Sequence, residues 1–534
     1  MFKSLLLMLI FLIVAGCSSY NNVDKSPSVK GDIEDNASWY NDANNDLLVM
    51  EVIIPSPNSS LCLAYDDLNG TSRPCTLEDI DNDIEPSDNY APILDVQMTT
   101  NSFTTPELTT NAQFKIRGNY SRKQRLKSYS LRLNSSENLF MSQRKFQLVK
   151  SQSDRSRSKN KLAYDLFRNI PNITSLKTQF VHLYINGEDY GLFTHVEAMR
   201  KEYLTNRGWN ENDRLYNAEN FQFKEYYQLA VNSKGDPKDE ELFETVLEIK
   251  NGEDHSKVNE MLAAVNSKEN IDSVIKKYFN RDNYLKWLAI NLLLSNKDTS
   301  YHNFFLYNPL HSDTFYFLPW DYDGAWARSV NLGKFEYGIS VWWESPLHRK
   351  FLSIEKNRND LYAMVEELRE KYITDEAIRG YLASYKESIA DFAERLPDTL
   401  HNSANSWAEA TENLAAGIDD NIELYKSVIG HPMPFREYVE LSDNKVKIYW
   451  DESVDLEGDE IVYDIKIALD ENFDVVVFEK NNFDSTSYIL KDNEKLNPGI
   501  YYLEVISKEK NNPNHYQIAF DYASRYGLLQ FEVK

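Results

Sequence analysis

The sequence predicts an α+β domain followed by a small all-β sandwich. Apolar residues alternate with polar ones through much of residues 93–197, a pattern typical of strands, whereas amphipathic helical periodicity dominates residues 353–428. Short alternating segments return from residue 439 to the end. A chain of 534 residues exceeds what one ordinary core supports, so we expect more than one domain. We place the α+β domain at residues 46–430 and the sandwich at residues 435–534.

The N-terminus has the features of an export signal. Lys3 provides a basic start, residues 5–14 form an apolar run too short to span a bilayer, and Ala15, Gly16 and Cys17 follow. This stretch resembles the lipobox of bacterial lipoproteins, in which the cysteine is lipidated and becomes the mature N-terminus. We therefore expect a signal peptide over residues 1–16, a lipid anchor on Cys17 and a flexible tether over residues 17–45. A plain secretory signal with an incidental cysteine is the alternative. The expected location is the outer membrane or cell surface.

The other two cysteines, Cys62 and Cys75, flank an Asn69-Gly70 turn signal. In an oxidising compartment we expect them to form a disulfide, and two free thiols are the alternative. Neither these cysteines nor the nine histidines show the spacing of a zinc site.

The charge balance argues against nucleic acid as a partner. Lys and Arg number 58 against 83 Asp and Glu, a formal charge of -25, and so acidic a surface repels phosphate backbones. The same balance permits binding of a single nucleotide through a divalent metal.

The elements of the α+β domain follow in order along the chain. Strands are predicted around residues 114–117 and 128–133, a helix over residues 160–170, and a hairpin over residues 180–197 that turns at Asn186-Gly187. An apolar helix is predicted over residues 283–294.

Acidic and amide residues follow that apolar helix in a suggestive order. Asp298 and then Asn303 precede two short predicted strands, and Asp321 comes directly after the second strand. Strand ends that converge at one rim would bring these side chains together. Protein kinases order their catalytic loop and metal-binding Asp in the same way. A cluster of polar loop residues without chemistry is the alternative.

Several stretches of the domain together resemble the spore coat protein H (CotH-type) family of atypical secreted kinases. The matching stretches are FKIRGNYSRKQRLKSYSLRL, KNKLAYDLFRNI, FVHLYINGEDYGLFTHVE, LLLSNKDTSYHNFFLY and FYFLPWDYDGAW. The resemblance implies a divergent protein-kinase-like fold that lacks the usual glycine-rich loop, and this chain has no GxGxxG motif. The sandwich in turn resembles fibronectin type III repeats, which serve as spacers or binding modules.

The family resemblance also implies roles for individual residues. Asp298 matches the catalytic Asp, and Asn303 and Asp321 match the metal ligands, for which Mg²⁺ or Mn²⁺ with ATP is implied. Lys127 falls at the position of the nucleotide-binding lysine, with a basic surface strand as the alternative.

Three further assignments remain open between two readings. Asp323 is either a second metal ligand or a loop cap, Glu197 either a nucleotide contact or a plain surface residue, and Arg117 either a phosphate contact or part of a turn.

These observations lead to two main functional hypotheses. The first is a metal-dependent kinase that phosphorylates Ser or Thr of surface or secreted proteins. The second is a catalytically inactive surface-binding lipoprotein. A glycan-processing or glycan-binding protein is a third hypothesis with less support, because Trp and Tyr are numerous, as in Trp342-Trp343, but such residues usually belong to a core.

Overall fold

The computed structural model describes residues 25–28, 30–40, 45–63, 72–84, 92–104, 109–135, 139–326, 334, 337–400, 406–442, 445–521 and 525–534. The predicted signal peptide and the lipidation site at Cys17 lie outside the described residues. Part of the predicted tether is described, and it packs on the body of the protein. Ile33 is buried in the main core and Asp35 pairs with the buried Arg207 over 2.9 Å, so residues 30–40 are held by apolar burial and by charge.

The N-terminal half of the chain forms a closed barrel. Its strands pair in the order β1-β4-β5-β6-β7-β9-β8, and β8 closes the barrel against β1 in parallel. The segment contains β1 (Leu48–Ile53), β2 (Leu61–Leu63), β3 (Ser72–Pro74), α1 (Leu77–Asp81), β4 (Leu94–Thr100), β5 (Ala112–Ile116), β6 (Tyr129–Leu133), β7 (Lys145–Val149), α2 (Lys159–Phe167), β8 (Thr178–Ile185) and β9 (Glu188–Glu197).

Side chains alternate between the two faces of the barrel strands. Phe114, Leu131 and Phe146 are buried in the barrel core. Because successive side chains of a strand point to opposite faces, their neighbours Ser130 and Lys145 face outward. The outer face of β5, β6 and β7 is therefore polar and available to line a cleft.

Two local features of the barrel follow from short-range sequence. The β8–β9 hairpin turns at Asn186 and Gly187, which adopt φ angles of 51° and 80°, the conformation that favours Asn-Gly. A disulfide joins Cys62 to Cys75 beside the small β2–β3 hairpin.

A helical region with a second sheet follows the barrel. The sheet has the strand order β11-β10-β12-β13 and is antiparallel, and α7 is buried from Asn283 to Leu293. The elements are α3 (Lys201–Asn206), β10 (Arg214–Ala218), α4 (Glu240–Glu244), β11 (Leu247–Asn251), α5 (Ser256–Asn266), α6 (Ile271–Tyr278), α7 (Arg281–Leu293), β12 (Phe304–Asn308), β13 (Tyr316–Pro319), α8 (Pro346–Leu352), α9 (Glu355–Lys371), α10 (Asp375–Ile389) and α11 (Trp407–Ile429). Within the described residues, no helix is both long and apolar enough to cross a membrane.

The C-terminal segment consists mainly of strands. These are β14 (Glu437–Ser442), β15 (Lys445–Trp450), β16 (Ile461–Ala468), β17 (Val476–Phe483), β18 (Ser487–Ile489), β19 (Gly499–Glu509), β20 (Tyr516–Ile518) and β21 (Leu529–Val533). They form two sheets, and one apolar core draws on both, for example through Ile448 and Leu503. Arg436 donates to Glu344 over 2.6 Å and so contacts the preceding domain. The fibronectin type III assignment stays a prediction.

Candidate functional site

A cleft of about 770 Å³ lies between the outer face of the barrel and the second sheet. The barrel contributes Lys115 from β5, Ser130 from β6 and Gln147 from β7, which form one row across the three strands. The segment that follows β9 contributes Met199, and β12 contributes Phe305. The polar loop residues that the sequence suggested as site residues also line this cleft. They are Arg117, Asp298, Asn303, Asp321 and Asp323.

Asp298 and Asn303 are in direct contact at one rim of the cleft. Asp298 lies in a 3-10 turn, Lys297–Thr299, which follows α7, and its side chain is 54% exposed. Asn303 Nδ2 donates to Asp298 Oδ2 over 2.7 Å, while Asp298 Oδ1 lies 2.6 Å from His302 Nε2. Asn303 adopts a left-handed backbone with φ 60°, a conformation that Asn tolerates better than most residues. Its amide nitrogen faces Asp298, so its carbonyl oxygen is the atom suited to a cation.

The acidic loop after β13 is fixed by the start of α2. The backbone nitrogen of Asp321 donates to the hydroxyl of Tyr164 over 3.0 Å, and that of Tyr322 donates to Asn160 Oδ1 over 2.8 Å. Lys159 Nζ donates to the carbonyl oxygen of Ala325 over 2.7 Å. These contacts hold Asp321 at φ 54°, again in the left-handed region. The stretch KNKLAY thus positions the two carboxylates of WDYDG, Asp321 and Asp323.

The two carboxylates of this loop lie in a low-dielectric site. Burial raises the pKa of Asp321, which the nearby Arg117 lowers and Asp298 raises. Burial also raises the pKa of Asp323, and the charge of Asp321 raises it further. Two carboxylates that repel each other in this way are stabilised by a cation, and hard oxygen donors of this kind suit Mg²⁺ or Mn²⁺. The residues present therefore fit a divalent metal.

Comparison with known proteins identifies the family of this domain. The sequence matches the CotH family, described as CotH kinase protein, over residues 114–425. The chain belongs to the CotH family. It is also similar to the inner spore coat protein H of Bacillus subtilis (strain 168), with 27% identity over 219 residues, which is 40% of this chain and 59% of that relative. The matched region thus spans less than two thirds of the relative's length.

Lys127 does not reach the cleft of this CotH domain. Its ammonium donates to the backbone carbonyl of Arg122 and lies near Asp81. Held at this position, Lys127 is not among the residues that line the cleft, and its contact with nucleotide phosphates stays a prediction.

Glu197 also lies away from the cleft of the CotH domain. Its carboxylate accepts hydrogen bonds from Arg207 over 2.9 and 3.1 Å and from the backbone nitrogen of Lys177 over 3.0 Å. It is 1% exposed. Neither sequence-based reading, nucleotide contact or surface residue, describes this position, which is a buried ion pair that ties β9 to residues after α3.

The sequence reasoning missed a group of cations on the opposite wall of the cleft. Lys115 and Lys145 project from the barrel, and Arg200 and Lys250 face them. Burial, together with the neighbouring cations Arg200, Lys250 and Lys115, lowers the pKa of Lys145 to about 7. The alternation in KFQLV, which places Lys145 and Gln147 on the outer face, was the available signal. Arg200 and Lys250 belong to distant segments and had none.

Proposed function

We propose that the protein is an exported lipoprotein whose CotH domain transfers phosphate from ATP to Ser or Thr of surface or secreted proteins. The observation that carries this proposal is the convergence of Asp298, Asn303, Asp321 and Asp323 at one rim of a single cleft, with Arg117 beside them. Metal-binding oxygens next to a cationic wall are the groups that phosphoryl transfer requires.

Each group has a role that follows from its position. Asp321 and the carbonyl oxygen of Asn303 would hold Mg²⁺ or Mn²⁺, with Asp323 as a further ligand. The cation would neutralise phosphate oxygens during transfer. Asp298, exposed at the rim, would orient the acceptor hydroxyl and accept its proton. Arg117 would contact the phosphates, and Met199 and Phe305 provide apolar surface for a base.

The test is transfer of labelled phosphate from ATP to a mixture of exported proteins, with Mg²⁺ or Mn²⁺. Asp298→Asn and Asp321→Asn should each lower the rate by at least about 100-fold, because they remove the proton acceptor and a metal ligand. Glu387→Gln, which changes an exposed carboxylate on α10, should keep the wild-type rate. Absence of transfer by the wild type, or equal transfer by Asp321→Asn, would contradict the proposal.

The position of Lys127 favours a second candidate, a surface-binding lipoprotein without turnover. A kinase-like site whose lysine contacts the backbone of Arg122 lacks one expected phosphate contact. On this reading, ATP with Mn²⁺ would leave the melting temperature unchanged. A rise that Asp321→Asn abolishes would exclude this candidate.

A further inference from the structure

A second cavity, of about 360 Å³, opens beside the cleft and shares its cationic wall. Lys115, Lys145, Arg200 and Lys250 line both spaces. The second space, which we name the basic cavity, is also lined by the cations Arg132, Arg144 and Lys201 and by the carboxylate of Glu202. Cations therefore far outnumber carboxylates on this lining, in a chain whose formal charge is -25.

Strand register builds one wall of the basic cavity. Gln113, Arg132 and Lys145 form a row across β5, β6 and β7, one step along from the row that lines the cleft. Residues in such a row share one face and lie about 5 Å apart. The cavity is thus a continuation of the cleft along the outer barrel face, and a ligand in one space can extend into the other.

The charges on this wall are poorly balanced. In the part of the chain that the structure describes, Lys250 pairs with Glu248 and Lys201 with Glu211, whereas no carboxylate pairs with Lys115, Lys145 or Arg200. The lowered pKa of Lys145 has the same physical origin, burial among like charges. Gathering cations in this way is unfavourable unless an anion joins them.

We propose that the basic cavity is a second anion-binding subsite, which takes a phosphoryl group of a ligand whose other end lies at the carboxylate rim. The proposal rests on the proposed function, and it narrows the ligands of the cleft to molecules that carry phosphoryl groups at two places. Arg132 and Arg200 offer planar guanidinium groups suited to phosphate oxygens, and Lys145 offers a compact charge between them. A phosphorylated acceptor peptide or a longer polyphosphate donor would both satisfy this chemistry.

The test measures binding by calorimetry in EDTA, so that neither metal nor transfer is involved. The probes are inorganic tripolyphosphate and a phosphoserine peptide, with the unphosphorylated peptide as reference. Arg132→Gln combined with Lys201→Gln should weaken binding about tenfold, and so should Lys145→Gln, because each removes charge-assisted contacts. Arg379→Gln, which changes an exposed cation on α10, serves as the matched control and should bind like the wild type.

The two probes distinguish the sources of the phosphoryl group. If the substitutions weaken the phosphopeptide, the subsite belongs to the acceptor; if they weaken only tripolyphosphate, it belongs to the donor. No binding of either probe to the wild type would overturn the proposal. Equal binding by wild type and correctly folded variants would overturn it as well. A protein that binds these anions normally but transfers no phosphate would instead contradict the proposed function and leave the subsite standing.

Discussion

The hydroxyl of Tyr164, in α2, accepts a hydrogen bond from the backbone nitrogen of Asp321 over 3.0 Å. This contact connects α2, the helix between β7 and β8, to the acidic loop that follows β13, although the two residues are 157 positions apart in sequence. The ring of Tyr164 also packs edge-on against Tyr322. The position of Asp321, the metal ligand that we propose, therefore depends on a residue that carries no charge.

Tyr164→Phe should weaken Mn²⁺ binding about five- to tenfold, because the unpaired nitrogen of Asp321 allows the loop to shift at a cost of about 1 kcal/mol or more. Titration with Mn²⁺ measures this effect. Tyr203→Phe is the matched control, since it removes a buried hydroxyl that contacts Thr174 over 2.8 Å. Equal Mn²⁺ affinities in the two variants would show that Tyr164 has no positioning role.

Gly191→Ala should destabilise the protein by about 3 kcal/mol or more, as judged by denaturant unfolding. Gly191 adopts φ 76°, and an added Cβ would lie 2.1 Å from Asp398 Oδ2 and 2.9 Å from Lys150 Nζ. These two groups form a buried ion pair with an N–O distance of 2.7 Å.

Gly187→Ala provides the comparison for Gly191→Ala. Gly187 adopts φ 80° with open space around it, so its substitution should cost only about 1 kcal/mol of backbone strain. Similar losses in both variants would mean that contact with Asp398 is unimportant.

Glu197→Gln should lower stability by about 3 kcal/mol and leave ATP affinity unchanged, because it removes the more deeply buried of the two carboxylates that pair with Arg207 and lies outside the cleft. Chemical denaturation and nucleotide titration measure the two quantities. If the variant were stable but bound ATP more weakly, the result would instead support the nucleotide contact that the sequence suggested for Glu197.

Glu437→Gln should stabilise the C-terminal segment, and the gain should grow as pH rises from 5 to 8. Burial raises the pKa of Glu437 well above its usual value, so the folded state keeps its proton where the unfolded state has lost it. The wild type then loses stability with rising pH, at up to about 1.4 kcal/mol per pH unit until the raised pKa is passed. Calorimetric transitions of both proteins test this, and a pH-independent difference would contradict it.

Sulfate, whose charge stays constant near neutral pH, should bind the basic cavity more weakly as pH rises through about 7. The ammonium of Lys145 has its pKa lowered to about 7 by burial and by Arg200, Lys250, Lys115 and Arg117. Above this pH Lys145 is mostly neutral and must take up a proton before it can pair with the anion, so sulfate affinity falls as pH rises. Lys145→Arg keeps its charge and should bind sulfate with little pH dependence. A steep pH dependence in that variant would assign the effect to other groups.

The carboxylate rim could be predicted because its parts are close in sequence. Asp298 and Asn303 stand five residues apart, and the β12–β13 hairpin returns the chain to Asp321 at the same edge. Sequence patterns of this kind act over a few residues, so they predict both where a strand lies and at which edge of the sheet it ends. Lys127 shows the limit of such reasoning, because it lies in the connection between β5 and β6, where its ammonium donates to the backbone carbonyl of Arg122.

The sequence alone therefore determined the alternation of the strands, the turn at Asn186 and Gly187, and the order of acidic residues around β12 and β13. These features depend on periodicity and on backbone preferences that act over a few residues. Only the tertiary structure decided that Tyr164 holds Asp321, that Glu197 pairs with Arg207, and that cations from separate segments meet in the basic cavity. Those contacts join residues that are distant in the chain, and their partners are set by packing and strand register.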